Sequence, residues 1–198
     1  MKGLIIDTTL KRGYIAAVNG ERESIVLLDP TLSTQSGLIP ACREALSALE
    51  LIPADLDGIA AVVGPGSFTG IRIGVSFANA MAFSLRIPRF SFTSFEVMRA
   101  LSPSAPAYRI DAGHGEVYAA YPHGGMLVQE NKKTEELPAD AADQEAMIES
   151  LPKGAIAILR KAFEERVFSA CAPTAEREYL KPNYMRKSQA ERIKDGEK

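Results

Sequence analysis

Gly64-Pro65-Gly66-Ser67-Phe68-Thr69-Gly70 constrains this chain more than any other stretch. Before it, Gly58-Ile-Ala-Ala-Val-Val63 is a short apolar run bounded by glycines, the pattern of a buried strand. After it, Ile71 to Arg86 contains no proline and stops ahead of Pro88, as a helix does. Strand, glycine loop and helix together aim backbone N–H groups at an anion or at a closely packed neighbour. The spacing separates the two. A dinucleotide fingerprint needs its third glycine one residue earlier, and a phosphate loop needs a Gly-Lys-Ser/Thr that is missing. Pro65 also removes a donor. The stretch therefore reads as a tight turn that lets the helix pack closely, with phosphate binding as the alternative.

The helix carries a second signal. Gly70, Gly74, Ala78 and Ala82 form a row of small residues at helical spacing. Ile71, Ile73, Val75, Phe77, Met81, Phe83 and Leu85 spread apolar side chains nearly all round, and Arg72, Ser76, Asn79 and Arg86 make one narrow polar stripe. A helix apolar on every side is buried on both sides. Its second side is covered either by the chain's own elements or by another chain.

The rest of the chain is ordinary in composition. With 198 residues, 46% hydrophobic and 24% charged, it holds one large domain or two small ones. A net charge of −2 leaves no global basic field of the kind an independent RNA-binding protein carries. Cys42 and Cys171 have no metal or redox spacing, as expected of reduced thiols in a cytoplasmic protein. The N-terminus turns acidic too early for a signal peptide, and no apolar run approaches the ~20 residues that span a bilayer.

Taken in order, residues 2–7, 14–18 and 23–29 read as three strands joined by hairpins, Asn19-Gly20 being the strongest turn signal. Ser33 to Leu49 reads as a helix with regular bonding beginning near Pro40. The strand, glycine loop and helix follow, then a strand at 89–92 and a short helix at 95–101. Beyond the proline-rich Ser102–Pro106 the opening pattern returns: Ile6-Asp7, a turn and Tyr14–Val18 are echoed by Ile110-Asp111, a turn and Val117–Tyr121. A strand near 126–129, a helix at 141–150, a strand at 155–159 and a helix at 160–171 complete the expectation.

This is a duplicated βββαβα plan with an abbreviated second half. It is the plan of the actin-like ATPase and sugar kinase superfamily, a ribonuclease H-like α/β fold. The expected division is a first lobe over 1–103, a smaller lobe over 104–185, and a disordered polar tail over 186–198. In that fold the hairpin turns hold phosphates, which makes Asp7, Thr8, Thr9, Gly64, Gly66 and Ser67 candidate nucleotide-binding residues. The second turn lacks the matching glycines and threonine, and Asp7 reads rather as a hairpin cap.

Ile5-Ile6-Asp7-Thr8, Gly64-Pro-Gly-Ser-Phe-Thr-Gly-Ile-Arg-Ile-Gly74 and Asp111-Ala-Gly-His-Gly-Glu-Val-Tyr118 together resemble the TsaB (YeaZ) family. The resemblance covers residues 1 to about 122 and returns weakly at Tyr179-Leu180-Lys181. It implies a non-catalytic, cytoplasmic partner of TsaD, the subunit that transfers threonylcarbamoyl to a tRNA adenosine. It also implies a third subunit, the ATPase TsaE, contact with tRNA only through the complex, and a homodimer when TsaD is absent. No cofactor is expected on the isolated chain, with ATP or ADP only in the complex.

The catalytic relative has a His-x-x-x-His metal pair after its own loop, whereas Pro88 to Ala100 contains no histidine, and no metal site is expected. His114 reads as a solvated turn residue. The family's histidine before the first long helix is replaced in Leu32-Ser33-Thr34-Gln35. The expected partner interface is Leu38, Cys42 and Leu46 on the first helix with Arg72, Ile73, Phe77 and Met81 on the second. The alternative is an enzyme, an actin-like-fold kinase or a peptidase. It needs a second phosphate turn or a base beside Ser67, and the sequence supplies neither nearby.

Overall fold

A computed structural model describes residues 1–29, 31–165 and 179–185. The first half runs β1 (Lys2–Asp7), β2 (Tyr14–Asn19), β3 (Arg22–Leu27), α1 (Thr34–Ser47), β4 (Gly58–Val62), α2 (Phe68–Leu85), β5 (Arg89–Phe92) and α3 (Ser94–Leu101). The second runs β6 (Tyr108–Gly113), β7 (Glu116–His123), β8 (Met126–Lys133), β9 (Ala142–Asp143) and α4 (Leu151–Glu164). The first sheet has the order β3-β2-β1-β4-β5, the second β8-β7-β6-β9. In each, two antiparallel pairs precede a parallel one, so the two halves repeat one topology. The second is the shorter, because a single turn at Thr134–Glu136 stands where the first half carries α1.

Strict alternation sorts the first sheet's side chains to two cores. Leu4, Ile6, Ile15, Ala17, Ile59 and Ala61 meet α1 and α2 on one face. Ile5, Tyr14, Ala16, Val18, Ala60 and Val62 meet α3, α4 and the second sheet on the other. Helices α3 and α4 therefore lie in a core that both halves share.

Several expectations are corrected. Residues 141–150 form β9 and turns rather than a helix, and 155–159 lie within α4 rather than in a strand. A short apolar run is ambiguous by itself. Leu151, Ala155, Ile156 and Leu159 fall on one helical face, and that face is the buried one. Gly154 lets α4 approach α3 closely, since a Cβ there would stand 2.7 Å from the Val97 carbonyl oxygen. The helix expected over 160–171 is seen as far as Glu164. Cys171 and the tail 186–198 lie outside the described residues.

Helix α1 begins at Thr34, capped by Ser33, whose side chain accepts the Ser36 N–H at 3.2 Å. Pro40 is inside the helix rather than at its start. Both Pro40 and Ser36 are exposed, so the carbonyl that proline leaves unbonded faces water. Helix α2 is capped by Ser67 and ends at Arg86 in the left-handed region (φ 57°). With 18 residues and mean hydropathy 1.2 it is also long and apolar enough to cross a bilayer, closer to that length than expected. In this fold its small-residue row is seated on β1 and β4.

Candidate functional site

The β1–β2 turn is built around a buried aspartate. Asp7 Oδ1 accepts the Thr9 backbone N–H at 2.9 Å and the Thr9 hydroxyl at 2.7 Å. These bonds make Asp7 the cap of its own turn. Burial pushes its pKa up to about 6, against the pull of the two Thr9 bonds. Tyr14 stands opposite in the β1–β2 register. Burial and the nearby Asp7 charge push its phenol well above the usual range. Its hydroxyl approaches the carboxylate without reaching hydrogen-bond geometry.

The glycine stretch clamps this turn from the other side. The Thr8 hydroxyl donates to the Gly70 carbonyl at 2.6 Å, and the Ser67 N–H donates to the Thr9 carbonyl at 2.7 Å. A Cβ at Gly70 would overlap the Thr8 carbonyl oxygen, and one at Gly74 the Thr8 hydroxyl. Only a glycine row lets α2 come this close. The loop is tied down further by Ser94, which donates its hydroxyl to the Pro65 carbonyl at 2.8 Å and its N–H to the Gly64 carbonyl at 2.8 Å. The packing reading of this stretch holds in detail: the Ser67 and Gly70 N–H groups both bond within the chain.

Between this turn and the β6–β7 turn lies a cleft of about 560 Å³. Thr8, Thr9, Lys11, Gly66 and Ser67 line one wall, and Asp111, Asp143 and Glu145 stand on the other. Of the candidate nucleotide residues, Thr8, Thr9, Gly66 and Ser67 thus face one cavity. Asp7 lies behind the wall, and Gly64 is backed by Ile71 and the Asn183 carbonyl. The facing wall is acidic. Asp143 is paired with Arg109 at 2.6 Å, and Asp111 Oδ1 accepts the Gly113 N–H at 2.8 Å. His114 is exposed in that turn with φ 58°. Among the described residues, no three histidine, cysteine, aspartate or glutamate side chains are grouped to hold a metal.

The expected interface residues divide. Leu38, Cys42 and Leu46 are buried in the chain's own core, so they do not lie on its surface and cannot dock a partner. Their stripe faces the sheet and α2, and burial lifts the Cys42 thiol to about 12. Ile73, Phe77 and Met81 pack on that core along one side and are open along the other. Arg72 is exposed but engaged. It stands 4.3 Å over the Phe68 ring, and its Nε donates to the Tyr184 hydroxyl at 3.1 Å. Sequence reasoning misses Phe83 (61% exposed) and Ile39 (57% exposed). Both sit at apolar positions off the buried stripes of their helices, which is the available signal.

The family model described as TsaD, tRNA N6-adenosine threonylcarbamoyltransferase, matches residues 34–190. Curated relatives named tRNA threonylcarbamoyladenosine biosynthesis protein TsaB match as well. The Bacillus subtilis protein is 38% identical over 88 residues, covering 40% of this chain and 36% of the relative. The Escherichia coli protein is 31% identical over 126 residues, covering 61% and 54%. The chain belongs to the TsaB/YeaZ family. This TsaB/YeaZ-family chain spans about a third to a half of the length of the first relatives it matches, 36% and 50%. A tRNA N6-adenosine threonylcarbamoyltransferase from Anaeromyxobacter is 31% identical, covering 68% of the chain and 44% of the relative. In fold, the chain superposes on YeaZ from Pseudomonas aeruginosa with TM-score 0.58 and 23% identity, covering 70% and 69%. A second solved structure, described as an uncharacterized protein similar to peptidase YeaZ from Pseudomonas aeruginosa, gives TM-score 0.69 at 22% identity, covering 93% and 99%. The α/β fold with two repeated sheets is thus that of the TsaB/YeaZ family.

Proposed function

We propose that this chain is a non-catalytic subunit of the assembly that makes threonylcarbamoyladenosine in tRNA, and that it docks on a TsaD-type transferase through the outer face of α2. The observation that carries the reading is the row Ile73, Phe77 and Met81, half-open on a helix whose other side is core, with exposed Phe83 beside it. Large apolar side chains at the centre of a contact supply most of its affinity. Family membership supports a TsaD-type protein as that partner. On this reading a TsaE-type ATPase joins the pair, tRNA is reached through the complex, and the chain works in the cytoplasm. Nucleotide enters the cleft only once the transferase is bound, and two copies of the chain pair through the same helix when it is absent.

Sedimentation velocity tests this, on the protein alone and mixed with its cognate transferase. A homodimer replaced by a one-to-one heterodimer is the expected result. Phe83→Asp, at an exposed position, weakens both species about a hundredfold while the folded monomer persists, a loss within the range of contact-centre aromatics. Phe77→Asp does the same at greater cost to the fold. Unchanged pairing in Phe83→Asp overturns the assignment of the face, and no complex with wild type overturns the function.

A further inference from the structure

The polar stripe of α2 has an occupant inside the chain. Residues 179–185 return to α2 and lie along it. The Asn79 side chain donates to the Leu180 carbonyl at 3.1 Å and accepts the Leu180 N–H at 2.9 Å, as a neighbouring strand would. Arg89 Nη1 donates to the same Asn79 oxygen at 3.1 Å, which fixes the orientation of the amide. Leu180 itself is buried with the residues under α1 and α2. Tyr184 stacks on Phe68 with ring centres 4.7 Å apart and accepts from Arg72. Between these anchors, the Asn183 N–H donates to the Val63 carbonyl at 2.8 Å, and its own carbonyl occupies the space a Cβ on Gly64 would need.

The far end of the same segment grips the other sheet. Asn183 Nδ2 donates to Gln129 Oε1 at 3.0 Å, and Asn131 Nδ2 donates to the Met185 carbonyl at 3.1 Å. Gln129 and Asn131 are alternate residues of β8, so both point to one face of that strand. Strand β8 pairs with β7, and β7 with β6, whose turn carries the Asp111 wall of the cleft.

We propose that residues 179–185 are a latch that ties the second sheet to α2 and the glycine loop, and so holds the acidic wall of the cleft at a set distance from the Thr8–Thr9 wall. One end bonds to α2 and the other to β8, which separates a latch from a segment that merely adds to the first core. Cutting the second-sheet end leaves Leu180 and Tyr184 seated.

Hydrogen exchange followed by mass spectrometry on the full chain tests this with Asn183→Ala, Asn131→Ala and the double variant. Loss of both side-chain bonds accelerates exchange of amides in β7 and β8 on the order of tenfold or more, while β1, β2 and β4 keep wild-type protection. Asn183→Ala alone, a change outside the second sheet, reproduces part of that acceleration around Gln129. Unchanged exchange in β7 and β8 overturns the proposal. So does an equal acceleration in both sheets, which would make the segment a general stabiliser.

Discussion

The β1–β2 and β6–β7 turns occupy equivalent places in their sheets, and each begins with an aspartate accepting an N–H two residues on. Their surroundings differ. Asp7 is 2% exposed beneath Thr8 and Thr9, with the start of α2 pressed against the turn. Asp111 is open to the cleft, and a Cβ on Gly113 or Gly115 beside it would meet nothing within 4 Å. The same local motif is a packed joint in one half and a solvent-open turn in the other. What separates them is the glycine-started helix, which among the described residues only the first half has. A duplicated fold can thus keep the hairpin twice while making it structural once.

Substitutions that treat the two turns alike should break them apart. Gly70→Ala is expected to cost the most, on the order of 3 kcal/mol or more in chemical denaturation, because its methyl meets backbone rather than a movable side chain. Gly113→Ala, at φ 78° in open space, should cost only about 1 kcal/mol for its backbone conformation. Equal losses would dissolve the contrast.

The next effect is pH-dependent. Asp7 has a folded pKa of about 6, above the ordinary 3.8, so the folded state favours its protonated form. Its contribution is fully present below about pH 4 and is lost as pH rises through about 6, a change of about 3 kcal/mol at 1.36 kcal/mol per unit. Asp7→Asn should flatten that slope when stability is measured from pH 4 to 7.5, and a slope unchanged in the variant would remove Asp7 as its source.

Smaller still, Thr8→Val deletes the hydroxyl bond to Gly70 and should cost about 1 kcal/mol. On the open side, Asp143→Asn breaks the half-exposed pair with Arg109 and should cost under about 1 kcal/mol. A larger loss there would show the second wall to be as tightly built as the first.

Much of this architecture is legible in the amino-acid sequence. The short apolar runs of β1, β2 and β4, the Asn19-Gly20 hairpin and the repeat of Ile-Asp are local signals, and all three survive folding. So does the packing role of the glycine stretch, because proline and the missing lysine already argue against a phosphate loop. The second half is less legible. Its apolar run at 155–159 fits strand and helix equally until Leu151 is seen to share its face, and within 141–150 the pairing of Ala142 and Asp143 with β6 takes the place of a helix.

The face of each helix is the other gap. Leu38, Cys42 and Leu46 look as available as Phe77, since periodicity gives a stripe but not what covers it. Residues 101 positions apart, Asn79 and Leu180, meet through a side-chain amide that no sequence spacing announces. By itself, then, the sequence determined the main elements of the first half, the duplication and the close approach of α2, because each rests on neighbours in the chain. Only the tertiary structure decided which apolar stripe is spent inside and where the C-terminal segment returns. Both depend on long-range packing, in which a residue's partner is set by the rest of the fold.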